Sequence, residues 1–130
     1  MSGIVELEIL LKSLSPSLSE TEYVFCTLHE NSDCEHLCPL ATFHEDEGLS
    51  LVISRNKAEQ ACIPFERTFR LITLKVHSSL EAVGLTAAVS SALAMQGIST
   101  NVIAAYYHDH ILVPAHQALD ALAALNKLRE

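Results

Sequence analysis

Residues 69–114 read FRLITLKVHSSLEAVGLTAAVSSALAMQGISTNVIAAYYHDHILVP, and this stretch decides the fold. Its start, Thr68–Val76, alternates Phe69, Leu71, Thr73 and Lys75 against Arg70, Ile72, Leu74 and Val76. That period of two predicts a strand, and apolar residues on both faces make it a central one. Leu80–Gln96 follows with helical spacing. Leu80, Val83, Ala87, Ala88, Ser91 and Met95 fall near one face, and Leu85, Val89 and Leu93 widen the stripe. Gly97 is a natural helix stop. Asn101–Tyr107 predicts a second strand, His108-Asp109-His110 a turn, and Ile111–Val113 a resumed strand. Pro114 then opens a last helix through Leu128. The order is β-α-β-β-α.

Working outward, the first half is less regular. Ile4, Leu7, Leu10, Leu11 and Leu14 recur at helical spacing, closed by Pro16. Residues 15–20 (SPSLSE) predict a link, and YVFCTL at 23–28 a strand. His29–Cys38 reads as an exposed loop. Leu40–His44 and Leu49–Ser54 flank the acidic turn Glu45-Asp46-Glu47-Gly48, which is a hairpin pattern. Arg55–Cys62 predicts a short helix ahead of Pro64.

The halves echo one another. LSLVISRNKAEQA (49–61) resembles HILVPAHQALDA (110–121), each a short apolar strand followed by a polar helix start. Strand–turn–strand–helix therefore occurs twice, and two ferredoxin-like halves, 1–66 and 67–130, are expected. A single irregular α+β domain is the other arrangement open to these residues.

Composition narrows the function. Apolar residues make up 49% of the chain, enough for a core, and 16 acidic residues stand against 8 basic ones. Phosphate backbones and anionic lipids are recognised by clustered positive charge, so neither nucleic acid nor membrane is the expected partner. The apolar stretches are short and interrupted by polar residues, which does not suit a bilayer span. Residues 1–14 carry Glu6 and Glu8 and lack a basic lead, a poor secretory signal. Without one, Cys26, Cys34, Cys38 and Cys62 read as free thiols in a cytoplasmic protein. Cys26 and Cys62, in apolar surroundings, read as small core residues.

Residues 69–113 resemble an ACT domain: a strand, a loop leading to Gly84-Leu85, a helix ending in Gly97-Ile98, a strand from Asn101, and a hairpin returning through Ile111–Val113. MSGIVELEILLKSLSP, YVFCTL, LITLKVHSSLEAVGLTAA and NVIAAYYHDHI are similar to small bacterial two-module ACT-like proteins. The plan is also similar to the paired modules of aspartokinase regulatory regions and of cytosolic arginine sensors. The resemblance implies an α+β fold, a ferredoxin-like pseudo-repeat with antiparallel sheets and helices packed on one face. It implies a small-molecule effector, often an amino acid, held where two modules meet, and a homo-oligomer acting on a partner protein. Six strands are counted where two complete modules need eight, so a strand is shared or supplied by a second chain.

Within that plan, His77, Ser78, Ser79, Leu80, Glu81, Val83 and Gly84 form a candidate ligand-binding segment. A helix start offers backbone N–H groups to a carboxylate. Ser78 and Ser79 add hydroxyls, Glu81 suits an ammonium, and Gly84 permits close approach. The same residues also serve as a plain helix start, with Ser78 or Ser79 as N-cap and Glu81 in the first turn. Asn101, Val102 and Ile103 are placed beside this segment by the ACT plan; Asn101 alone also reads as the end of a turn. His108-Asp109-His110 and Cys34-x-His36-x-Cys38 have imidazoles and thiols at short spacing. Neither shows the paired spacing of a zinc module, so no metal or other cofactor is expected. No nucleophile elbow, phosphate-cradling glycine loop or HExxH is present, and the chain is not expected to be an enzyme. An oligomerising interaction module without a small ligand is the alternative function.

Overall fold

The computed structural model describes residues 6–76 and 84–130. The chain divides into two compact units. One holds the chain's start through Glu20 together with Arg70–Glu130, and the other holds Thr21–Phe69.

The second-named unit is built on strands β1 (Ser15–Leu28), β2 (Ala41–Glu45) and β3 (Gly48–Ser54) in the order β2-β3-β1. Both pairings are antiparallel, running from Tyr23↔Ser54 to Leu28↔Leu49 and from Ala41↔Val52 to Glu45↔Gly48. The β2–β3 hairpin closes over Asp46 and Glu47, where the acidic run predicts a turn. Helix α2 (Arg55–Gln60) follows β3, its start capped by Ser54, whose hydroxyl accepts the Lys57 N–H at 3.2 Å. It is shorter than the expected 55–62, and Cys62 lies beyond it in the left-handed region at φ 56°. Cys62 is exposed, so its place in the core is corrected: the chain turns at the helix end and carries the thiol outward. Val24, Leu37, Leu49, Leu51, Ile53 and Ala58 form this unit's core. Leu37 comes from the expected loop, where a single 3-10 turn at Glu35–Leu37 turns it inward.

The other unit contains α1 (Leu7–Ser13), the first residues of β1, β4 (Phe69–Lys75), α3 (Leu85–Met95), β5 (Asn101–Ala104), β6 (Asp109–Pro114) and α4 (Ala118–Lys127). Its strand order is β1-β4-β6-β5, which is the ferredoxin-like order with β1 in the fourth-strand place. The strand expected after Leu128 is thus supplied by the start of the chain. The SPSLSE segment is not a link. Leu18 packs against the core between flanking serines, a period of two that a single apolar residue barely signals. Pro16, without an N–H, sits near the beginning of a strand at the edge of this unit's sheet, where it is tolerated.

Ile72, Leu74 and Val76 of the β4 region, with Ile111 and Val113 of β6, point to one face. Leu10, Leu14, Leu85, Val89, Leu93, Ala118, Ala121 and Leu125 cover it from the helices. The α3 stripe is narrower than expected. Leu85, Val89 and Leu93, spaced by four, are buried, whereas Met95 is 85% exposed and Ala87 and Ser91 face outward. The large branched side chains take the buried face and the small ones are left outside. Helix α3 ends at Gly97, φ 70°, with the Ile98 N–H returning to the Leu93 carbonyl at 3.0 Å. Among the described residues no helix is long and apolar enough to cross a membrane.

Candidate functional site

The residues alone start the third helix at Leu80. The ACT-like plan starts it after Gly84, and the structure does the same. Gly84 is the residue before the first turn, at φ 103° and ψ −19°, and its carbonyl accepts the Ala88 N–H at 2.8 Å. The N-cap position of this helix is thus Gly84, and its first turn begins at Leu85. His77, Ser78, Ser79, Leu80, Glu81 and Val83 lie outside the described residues.

At φ 103° a side chain would be strained, so glycine is required by the backbone. A Cβ added there would meet Leu7 Cδ2 at 3.2 Å. Leu7 opens α1, which is anchored in the core by Leu10 and Leu14. Among the described residues no side chain caps α3, and its first turn holds no acidic residue. The N–H groups of that turn have no partner within the helix, and the positive end of the helix dipole lies there without a nearby first-turn carboxylate.

Asn101, Val102 and Ile103 are brought together as consecutive residues of β5. This strand is at the sheet edge, with β6 between it and β4. The Asn101 side-chain amide donates to the carbonyl of Leu112, its register partner, at 3.4 Å. Val102 is exposed and Ile103 half-buried.

His108-Asp109-His110 is not the turn. The Ala105 N–H donates to the His108 carbonyl at 3.1 Å, so the bend falls on Tyr106 and Tyr107. Asp109 and His110 already belong to β6, opposite Ala104 and Ile103. Pairing with β5 outweighs the turn preference of the polar residues. The two tyrosine rings pack edge to face at 4.9 Å and are largely exposed. His110 Nδ1 and the Thr73 hydroxyl are 3.0 Å apart. Burial lowers the His110 pKa, and His108 lowers it further, with Asp109 opposing. Burial raises the Asp109 pKa, against the pull of His110 and His108. Cys26 has its thiol pKa raised by burial, as its apolar strand predicts. Among the described residues no three His, Cys, Asp or Glu side chains gather as a metal site.

The sequence reading did not foresee a groove of about 420 Å³ lined by Ala92, Met95, Gln96, Asp120, Ala123 and Lys127 from the ends of α3 and α4. Its only sequence trace is the run of alanines, which leaves space between the two helices.

Comparison with known proteins accords with this architecture. Residues 2–70 match one ACT domain family model and residues 66–127 another. The crystal structure of a Vibrio cholerae protein of unknown function, described as a possible transport protein, is 54% identical. Its TM-score is 0.88, over 99% of this chain and 100% of that one. An Agrobacterium tumefaciens protein shares 16% identity with TM-score 0.75, over 89% of each chain. The ligand-free regulatory subunit of Thermus thermophilus aspartate kinase shares 12% identity with TM-score 0.63, over 92% of this chain and 100% of that one. At such identities these last two show the fold alone. No match was found among curated proteins. With family matches that together run through both halves and a ferredoxin-like strand order, the chain belongs to the ACT domain family.

Proposed function

We propose that this chain is a non-catalytic regulatory module that binds an amino acid or a similar small metabolite and acts through a partner protein. In this reading it works as two modules, 1–66 and 67–130, in a cytoplasmic homo-oligomer. The ligand's carboxylate lies at the start of α3, beside Gly84. His77, Ser78, Ser79, Leu80, Glu81 and Val83 surround it, Glu81 takes its ammonium, and Asn101, Val102 and Ile103 contribute from β5. The observation that carries the reading is the α3 start itself. A glycine held at φ 103° opens an 11-residue helix with no side-chain cap among the described residues. That end suits an anion. The regulatory subunit of aspartate kinase, a structural neighbour, supports the role by analogy of fold.

A second reading, an interaction module without a small ligand, draws on the sheet edge. β5 ends the strand order and carries the exposed Val102, and an open edge favours pairing with another chain.

Thermal unfolding of the purified protein, alone and with each common amino acid at millimolar concentration, separates the two. A ligand at a hundredfold excess over its dissociation constant stabilises the folded state by about 2.7 kcal/mol. With an unfolding entropy of roughly 0.27 kcal/mol/K for a chain of this size, that is a rise of roughly 10 °C. The expected result is a selective rise, abolished in Glu81→Ala or Asn101→Ala. No rise with any amino acid turns the assignment to the interaction module.

A further inference from the structure

The groove between α3 and α4 is used by neither reading of the function. Asp120, Ala123, Ala124 and Lys127 build its α4 wall. Spaced by three, four and seven, they fall on one face of the helix, away from the buried Ala118, Ala121 and Leu125. Asp120, Ala123 and Lys127 are exposed and Ala124 is half-buried. The α3 wall carries Met95, 85% exposed, and Leu119, 71% exposed, stands one turn before Ala123 on α4. Neither Asp120 nor Lys127 enters an ion pair among the described residues.

The order of these residues is symmetric. Asp120 lies as far before the Ala123-Ala124 pair as Lys127 lies after it, and Leu119 and Leu128 bracket both at equal distance. A twofold axis through the alanine pair turns α4 end for end and sets Asp120 opposite Lys127. Two copies packed antiparallel in this way form the same acid–base pair twice, because a twofold interface meets itself. Alanines at the axis lack bulk and let the two helices approach closely. Charge also selects the occupant. The chain carries a net charge of −8, so two copies repel at a distance and need a locally balanced surface to meet. The charged residues that line this groove, Asp120 and Lys127, are one acid and one base. A partner of a single charge sign would set one of them against its like, and an apolar partner would strip water from both without replacing it.

We propose that the α3–α4 groove is a self-association face, on which α4 of a second copy lies antiparallel. Asp120 pairs with the partner's Lys127, and Lys127 with the partner's Asp120. The same packing covers Met95 and Leu119, which the single chain leaves in water. The inference rests on the homo-oligomer of the proposed function and gives it a face. It needs no effector and does not use the β5 edge.

The test is sedimentation velocity of the full chain over a range of concentrations, without added amino acid. The expected result for the natural protein is a reversible dimer. Asp120→Lys alone and Lys127→Asp alone each place like charges opposite one another twice, and each should weaken self-association roughly ten-fold or more. The double variant Asp120→Lys/Lys127→Asp should recover it. Mixing equal amounts of the two single variants should recover it too, since their heterodimer has opposite charges at both ends; a folding defect is not cured by mixing. A natural protein that stays monomeric overturns both this face and the homo-oligomer. A dimer that the single variants leave unchanged, or a mixture no tighter than its components, overturns this face and leaves the homo-oligomer standing. The amino-acid thermal shifts judge the ligand separately.

Discussion

Gly84→Ala isolates the backbone requirement at the start of α3, with Gly97→Ala at its end as reference. Gly97 has φ 70° with nothing within 4 Å of an added Cβ. Only the left-handed conformation opposes alanine there, at about 1–2 kcal/mol. Gly84 has φ 103°, outside the ordinary left-handed well, and Leu7 Cδ2 stands 3.2 Å from the added carbon. Leu7 is a flexible side chain and 36% exposed, so it can give by a few tenths of an ångström. Backbone strain therefore dominates, at about 1–3 kcal/mol. With roughly 0.27 kcal/mol/K of unfolding entropy, Gly84→Ala should lower Tm by about 4–11 °C. Asparagine separates the two positions, because it tolerates the left-handed well. Gly97→Asn should recover most of the loss seen with alanine, and Gly84→Asn almost none. Differential scanning calorimetry of the four variants reads this directly. A neutral Gly84→Ala, or equal recovery by asparagine at both positions, refutes the claim that the helix begins on an obligatory glycine.

Two further outcomes follow from burial. The folded pKa of Asp109 is raised from 3.8, so its carboxylate contributes stability when protonated and loses it as the pH rises through the folded pKa. Asp109→Asn should therefore raise Tm at pH 7, with the gain vanishing below about pH 3.8; melting curves across pH check this. The Cys26 thiol is half-buried and raised in pKa, whereas Cys38 and Cys62 are exposed. Alkylation followed by peptide mass spectrometry should label Cys38 and Cys62 first and Cys26 far more slowly.

The β4–α3–β5–β6–α4 order was legible because its signals agree at several levels: alternation in FRLITLKV, apolar spacing by four in α3, and Gly97 at a position that needs a left-handed residue. The β2–β3 hairpin was legible for the same reason, with an acidic turn between two short apolar runs. The beginning of β1 was not. Between Leu14 and Tyr23 only Leu18 reaches the core of its unit, and a strand with one inward apolar residue looks like a linker. The bend at Tyr106-Tyr107 was displaced in the sequence reading because histidine and aspartate look like turn residues. Their true role is cross-strand pairing, which only the partner strand reveals.

The same physics explains why the candidate site was only partly legible. Composition marks residues 77–84 as polar and helix-opening, but the position of the helix start depends on one backbone dihedral. Gly84 at φ 103° puts the first turn at Leu85 and leaves its N–H groups without a side-chain cap among the described residues. A glycine in an amphipathic run is ambiguous in sequence, since it can sit within a helix at a cost of about 1 kcal/mol or end one. What resolves it is the conformation of the glycine itself. At φ 103° no other residue takes this place without strain, whereas Leu7 Cδ2, 3.2 Å from an added Cβ, can give way. The carboxylate-accepting end of the proposed site is thus set by one backbone dihedral, and by no motif within the segment itself.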